Sequence, residues 1–309
     1  NPDEYITAEE VREITSQMAE NYTRSGEEVI HAIPQSYNID DFMGITEPVG
    51  MNGKQIYSNF KLIIGKKNSS QQKTNVLQRA RLNLKGMFLQ PLASAKAVLD
   101  DEEREVGVAL LDIGGGTTDL IIIQDNVVRH AAVIPFGGNS ITEDLKQGCG
   151  VSTKVAEQLK TLHGSCMSSI APDKNVRING IGGREDKQIS LRNIAEIIES
   201  RVEEILEAAM YEIERSGYGN LINSGIVITG GTSQLTNLQQ FARLVTRMDI
   251  RLAVPNRMYA EIEVPINKPA LSTAVGLVVM GFEKMEKEGV KYTSTTPINY
   301  KEELKEKGA

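Results

Sequence analysis

Tryptophan is missing from the 309 residues, and aromatic side chains make up only 5% of them. The cores must therefore be aliphatic. Cysteine occurs twice, at Cys149 and Cys166, which excludes a disulfide framework and a four-thiolate metal site. Both thiols read as small core hydrophobes, and the expected compartment is the reducing cytoplasm. His31, His130 and His163 stand far apart, at no metal-ligand spacing. No apolar run approaches the roughly 18 residues of a membrane-spanning candidate, and no secretory leader pattern is present. Positive charge is also short: 34 Lys and Arg face 41 Asp and Glu, for a net charge of -7. That balance gives no long-range attraction to nucleic acid, and no nucleic-acid partner is expected.

What is present is an alternation of helical and strand periods. Thr7 with Glu10 predicts a capped helix start, and Val11, Ile14, Met18 and Tyr22 follow at helical spacing. Short β-type runs at 29–33, 37–39 and 55–64 complete a small helix-plus-strands unit over 1–66. Helices are predicted over 71–86 and 92–99, then a charged turn over 100–105. The strongest segment, Val106 to Ile123, reads as an apolar strand, a glycine turn and a second strand, with a third strand over 127–135. Helices follow over 139–147, 152–162 and 190–216, the last with Ile194, Ile198, Val202, Ile205, Ala209 and Ile213 on one face. Its carboxylate-rich face is a solvated surface or a partner contact. A strand over 225–229 and helices over 235–248 and 270–287 close the pattern, which is α/β.

Two glycine turns, each directly after a buried-type strand, are the chemical signal. In Asp112-Ile113-Gly114-Gly115-Gly116-Thr117-Thr118-Asp119, glycines free to adopt positive φ would bring backbone amides to an anion. Thr117 and Thr118 would add hydroxyl donors. Asp112, at the strand end, could hold Mg2+ through water, while Asp119 would face the same cleft or lock the hairpin. A purely structural hairpin is the alternative. The second turn, Gly230-Gly231-Thr232, would let a sugar or base lie against the backbone, and alone it is equally a plain connection. Neither turn has the spacing of a Walker loop or a dinucleotide fingerprint. Glu157 and Lys160 share a helix face, and spacing alone makes them an exposed ion pair.

Several segments resemble the actin and Hsp70 ATPase superfamily and, within it, the bacterial cell-division FtsA family. They are His31 to Gln35, Pro48 to Gly53, Pro91 to Leu99, the strand–turn–strand around Asp112, His130 to Gly138, Val227 to Leu235 and Leu271 to Leu277. The resemblance implies a partial actin-like (ribonuclease H-like) α/β ATPase fold with a small α+β inserted subdomain. Residues 1–66 would be the family's subdomain 1C, and 67–105 with 266–288 the remains of 1A. Residues 106–149 with 223–265 would be 2A, 150–222 would be 2B, and 289–309 a flexible tail. Gly114, Gly115, Gly116, Thr117 and Thr118 would bind nucleotide phosphate, Asp112 the metal, and Glu157, Lys160, Gly230, Gly231 and Thr232 the adenosine. ATP with Mg2+ is the implied cofactor. Its binding would be weak or absent in this chain, because the family's first phosphate loop is expected to lie before Asn1.

The implied role is that of a filament-forming protein that links FtsZ filaments to the cytoplasmic face of the inner membrane and recruits downstream division proteins. ATP hydrolysis, if any, would be slow. Membrane contact would need an amphipathic helix expected beyond Ala309. The FtsZ C-terminal tail would dock on the 150–222 region, with Arg192 and Arg201 as candidate contacts. Small residues in Pro91 to Val98 and Ala270 to Leu277 would permit two helices to cross closely at an interdomain hinge. The alternative from another class is a sugar kinase or phosphatase of the same superfamily, which would need a carboxylate base placed for in-line attack.

Overall fold

A computed structural model of the chain describes residues 5–22, 24–179, 185–255 and 267–287. The expected tail over 289–309 lies outside the described residues, as do 256–266 from the proposed boundary between 2A and 1A.

The amino-terminal unit opens with α1 (Ala8–Asn21), whose start is fixed by reciprocal Thr7–Glu10 capping hydrogen bonds. It packs on an antiparallel sheet ordered β2-β1-β3, from β1 (Glu27–Ile39), β2 (Phe42–Ile45) and β3 (Ile56–Lys66). The two short runs expected at 29–33 and 37–39 are thus one strand. Two irregularities in the β1–β3 register break its hydrophobic alternation, which is why the sequence reads as two pieces.

Next come α2 (Lys67–Arg79), α3 (Gln90–Val98) and α4 (Asp101–Val106). The predicted charged turn at 100–105 is a helix instead. Asp100 and Glu103 exchange capping hydrogen bonds, and three acidic residues sit at its positive end.

A five-stranded sheet, ordered β10-β9-β4-β5-β6, follows. It comprises β4 (Val108–Ile113), β5 (Thr118–Gln124), β6 (Val127–Ile134), β9 (Ile226–Thr229) and β10 (Ile250–Leu252). Strands β4, β5 and β6 form an antiparallel meander, while β9 and β10 run parallel to β4. Both faces are covered, so β4 is buried throughout and apolar at every position but Asp112. Ala109, Leu111 and Ile113 face one core with α5 (Gly138–Cys149), α7 (Leu191–Ser216) and α8 (Leu238–Thr246). Val108 and Leu110 face a second core with α3 and Ala253.

Between α5 and α7 lie α6 (Thr153–His163) and a two-stranded sheet of β7 (Asn175–Ile178) and β8 (Lys187–Ser190). The small sheet expected around 176–178 is therefore present. The 26-residue α7 places all eight of its buried side chains but Ala195 in the first core, beside those of β4 and β5. The last described element, α9 (Ser272–Lys287), crosses α3.

The small sheet is seated against β6. Gln35 donates to the Val128 carbonyl at 3.0 Å, Lys61 donates to the Arg129 carbonyl, and Ile33 packs on the second core.

Candidate functional site

The hairpin between β4 and β5 closes with Gly114 N–H donating to the Thr117 carbonyl at 2.9 Å. Its carbonyls point at α5: Gly138 N–H reaches Gly114 O at 2.9 Å and Asn139 N–H reaches Gly115 O at 2.7 Å. The Thr232 hydroxyl also donates to Gly114 O, at 2.9 Å. The loop is therefore staked by its carbonyls. The amides of Gly115 and Gly116 meet no acceptor among the described residues, so two donors stay available to an anion.

The expectation that these glycines work through positive φ is corrected. None of Gly114, Gly115 and Gly116 lies in the left-handed region, whereas Gly230 does, at φ 91°. A Cβ on Gly115 would meet the Asn139 side chain at 3.3 Å, and one on Gly116 would meet nothing within 4 Å. Gly230 is the constrained position. A Cβ there would fall 2.5 Å from both Asp112 Oδ1 and the Ile113 carbonyl oxygen.

A cavity of about 380 Å³ brings together Gly114, Gly115, Glu157, Lys160, Gly231 and Thr232. Glu157 and Lys160 are more than the exposed pair their spacing suggested. Lys160 is buried and donates to Gly138 O at 2.9 Å and Thr142 Oγ1 at 2.7 Å, and its Nζ lies 2.8 Å from Glu157 Oε2. The Thr142 hydroxyl donates to the same carboxylate at 2.5 Å. Burial pushes the Glu157 carboxyl up, but the hydrogen bonds from Lys160 and Thr142 outweigh it and hold it below its ordinary range. About half of the Glu157 side chain stays exposed at the cavity.

Other candidates fall outside the cavity. Thr118 is fully buried and its hydroxyl donates to Phe136 O at 2.9 Å, so that hydroxyl is no phosphate donor. The Thr117 hydroxyl donates to Asp119 at 3.3 Å, and Gly116 and Gly230 flank the lining rather than form it. The Thr232 hydroxyl is committed to the loop, leaving only its position to a ligand. Asp112 and Asp119 are register partners on β4 and β5, each buried and without an ion pair among the described residues. Burial first, and the Asp112 charge second, push the Asp119 carboxyl up.

Arg192 and Arg201 part company. Arg192 is exposed, with Glu196 a loose 3.8 Å away. Arg201 holds Asp144 of α5 through two hydrogen bonds, at 2.6 and 3.0 Å, and Glu204 at 2.5 Å. Its charge is therefore spent inside the fold, and its place as a free docking cation is corrected on that ground.

Sequence reasoning missed Gly138, Asn139 and Thr142, which brace the loop and the Glu157–Lys160 pair. The Gly137-Gly138 pair at a helix start was the available signal. It is legible only once the β4–β5 turn is known to lie beside it.

Residues 109–276 match the family described as cell division protein FtsA, and residues 1–64 match the SHS2 domain inserted in FtsA. The chain belongs to the FtsA family. The FtsA of Pseudomonas aeruginosa is 34% identical over 276 residues, covering 87% of this chain and 66% of that protein. The Escherichia coli K12 FtsA is 32% identical over 294 residues, covering 91% and 69%. This FtsA-family chain thus spans about two thirds of the length of these relatives. Among solved structures, MreB5 of Spiroplasma citri bound to ADP superposes with a TM-score of 0.59 at 20% identity, over 74% of this chain and 69% of that one. A PilM–PilN type IV pilus biogenesis complex superposes with a TM-score of 0.59 at 16% identity, covering 89% and 73%. Those likenesses establish the fold, which is actin-like.

The site's chemistry suits a nucleotide with a divalent cation. The Gly115 and Gly116 amides have no acceptor among the described residues, as an anion-binding turn requires. Two buried carboxyl groups, Asp112 and Asp119, stand at the root of the loop without a cationic partner among the described residues. No group of three or more His, Cys, Asp or Glu among the described residues could hold a metal alone. Water and phosphate oxygens would have to complete a Mg2+ shell, as is usual for that ion.

Proposed function

We propose that the chain supplies one wall of an ATP cleft in a filament-forming cell-division protein. The observation carrying this is the single cavity that joins the glycine loop, the Gly231-Thr232 turn and the Glu157–Lys160 pair. Gly115 and Gly116 amides would donate to phosphate oxygens, and the exposed Glu157 oxygen would accept from a ribose hydroxyl. Lys160 holds Glu157 in place. Bound nucleotide would supply the phosphates that complete the cation's shell, with Asp112 contributing its charge through water. The kinase or phosphatase alternative is less well supported: of its two candidate bases, Asp112 accepts two protein hydroxyls and Asp119 accepts the Thr117 hydroxyl, and neither lines the cavity.

The partner reading follows from the family. The full-length protein would assemble into filaments, bind the FtsZ C-terminal tail beside α7, recruit later division proteins and work at the cytoplasmic face of the membrane. Among the described residues no helix is long and apolar enough to cross a membrane. Arg192 remains the candidate contact for an acidic tail.

Calorimetry of MgATP binding to the full-length protein tests the site. Glu157→Ala should weaken affinity about tenfold, the loss of one good hydrogen bond to a charged group, and should also lower Tm, because buried Lys160 loses its carboxylate. Unchanged affinity would remove Glu157 from the ribose role. A wild-type protein that bound no nucleotide would end the ATP reading.

A further inference from the structure

Asp112 is the penultimate residue of β4, at the root of the glycine loop, and is 3% exposed. A carboxylate so buried needs donors, because low-dielectric surroundings penalise a bare charge. Its Oδ2 accepts the Ser94 hydroxyl at 2.6 Å and the Thr273 hydroxyl at 3.1 Å. Ser94 belongs to α3 and Thr273 to α9, 179 residues apart, and their hydroxyl oxygens stand 2.9 Å from each other. Three oxygens thus share two hydroxyl protons.

The contact sits at the helix crossing itself. A Cβ on Gly276, one turn beyond Thr273, would lie 1.7 Å from the carbonyl oxygen of Ala93, the neighbour of Ser94. The end of β9 is tied to the same helix, the Thr229 and Ser272 hydroxyls meeting at 2.7 Å.

We infer that Ser94 and Thr273 are positioning residues for Asp112, their two hydroxyls fixing the direction in which its carboxylate presents its charge to a cation bound at the glycine loop. This rests on the nucleotide reading above. Asp112 can turn its charge towards a loop-bound cation only as far as its two hydroxyl donors allow. The two donors come from α3 and α9, so the carboxylate is held from two helices at once. Neither hydroxyl touches the cavity, which separates this role from direct ligand binding.

Two measurements on the full-length protein test it. The first is nucleotide affinity with Mg2+ and with a chelator. Ser94→Ala and Thr273→Val should each lose about tenfold of the Mg2+-dependent gain, as expected for one hydrogen bond to a charged group. Affinity in chelator should stay within about twofold, and Thr273→Ser should keep the wild-type gain. Equal losses with and without Mg2+ would show general loosening of the helices and overturn the positioning role. The second is a ligand-free cycle in urea combining Ser94→Ala with Thr273→Val. A shared acceptor predicts that the double variant's unfolding constant departs from the product of the singles by about fivefold or more. Independent effects, or an equal departure when the cycle is repeated in Asp112→Ala, would overturn the shared acceptor. Should wild type bind no nucleotide, the ATP reading fails, and the ligand-free cycle still decides whether the two hydroxyls act through Asp112.

Discussion

At the scale of single residues, the site depends on where a side chain's hydrogen bonds are spent. Thr117 and Thr118 are adjacent and chemically alike, yet Thr118 is sealed against the Phe136 carbonyl while Thr117 stays near the loop surface. Position decides this: Thr118 begins β5, whose sheet is covered on both faces, whereas Thr117 is still in the turn. Gly230 shows the opposite dependence, on absence of a side chain. Its φ of 91° and its approach to Asp112 and the Ile113 carbonyl leave no room for a methyl group. Gly230→Ala should therefore cost about 2 kcal/mol or more, from strain and displaced backbone together, read as a fall in the urea midpoint. Gly116→Ala, facing open space at ordinary φ, should lie within about 0.5 kcal/mol of wild type. If the two substitutions cost the same, the assignment of constraint to Gly230 is wrong.

At the scale of elements, α7 is held to α5 by charge as well as by its apolar stripe. Arg201 grips Asp144 with both arms of its guanidinium, half-buried, and this geometry is worth more than an exposed pair. Arg201→Glu would set a carboxylate beside Asp144 and Glu204, and a loss of about 1–3 kcal/mol in chemical denaturation is expected. Arg192→Glu should leave stability within about 0.5 kcal/mol, since Arg192 is exposed and only loosely paired. A labelled FtsZ tail should nevertheless bind the Arg192 variant more weakly at low salt. Equal binding by wild type and variant would remove Arg192 from the docking surface. The crossing of α3 and α9 is set by Gly276, where the backbone of one helix meets that of the other. Gly276→Leu should push them apart and lower Tm by several degrees, on the order expected for overpacking a tight contact.

At the scale of the whole molecule, the small unit is seated on the large sheet and on the start of α3 through polar as well as apolar contacts, and the contact to α3 titrates. His31 Nε2 accepts the Leu89 N–H at 3.0 Å, which requires the unprotonated ring nitrogen. Burial holds the His31 pKa below its ordinary 6.5. The folded protein therefore binds fewer protons here than the unfolded chain, so stability rises with pH through this window. The contribution is complete above pH 6.5 and is lost as pH falls towards the lower folded value. His130, partly buried near Lys61, is shifted in the same direction, chiefly by burial. Wild-type Tm should thus fall more steeply between pH 6.5 and 5 than that of His31→Gln. Parallel curves would show that His31 stays neutral without stabilising the seat.

The sequence by itself determined the strand–turn–strand around Asp112, the helix over 191–216 and the family, because these follow from local period, chain turns and segment identity. An unbroken apolar strand beside glycines cannot be hidden by its surroundings. Period alone also fixed which face of α7 is buried. What only the tertiary structure decided is the use of polar groups that local spacing leaves ambiguous. Lys160 is a buried strut and not an exposed partner, because Gly138 O and Thr142 from another helix receive its protons. Arg201 is internal because Asp144 lies opposite it. Asp112 faces two helices drawn from distant parts of the chain. A charged or hydroxyl side chain carries no mark of its eventual partner. Desolvation makes pairing obligatory once it is buried, and the fold alone chooses the partner.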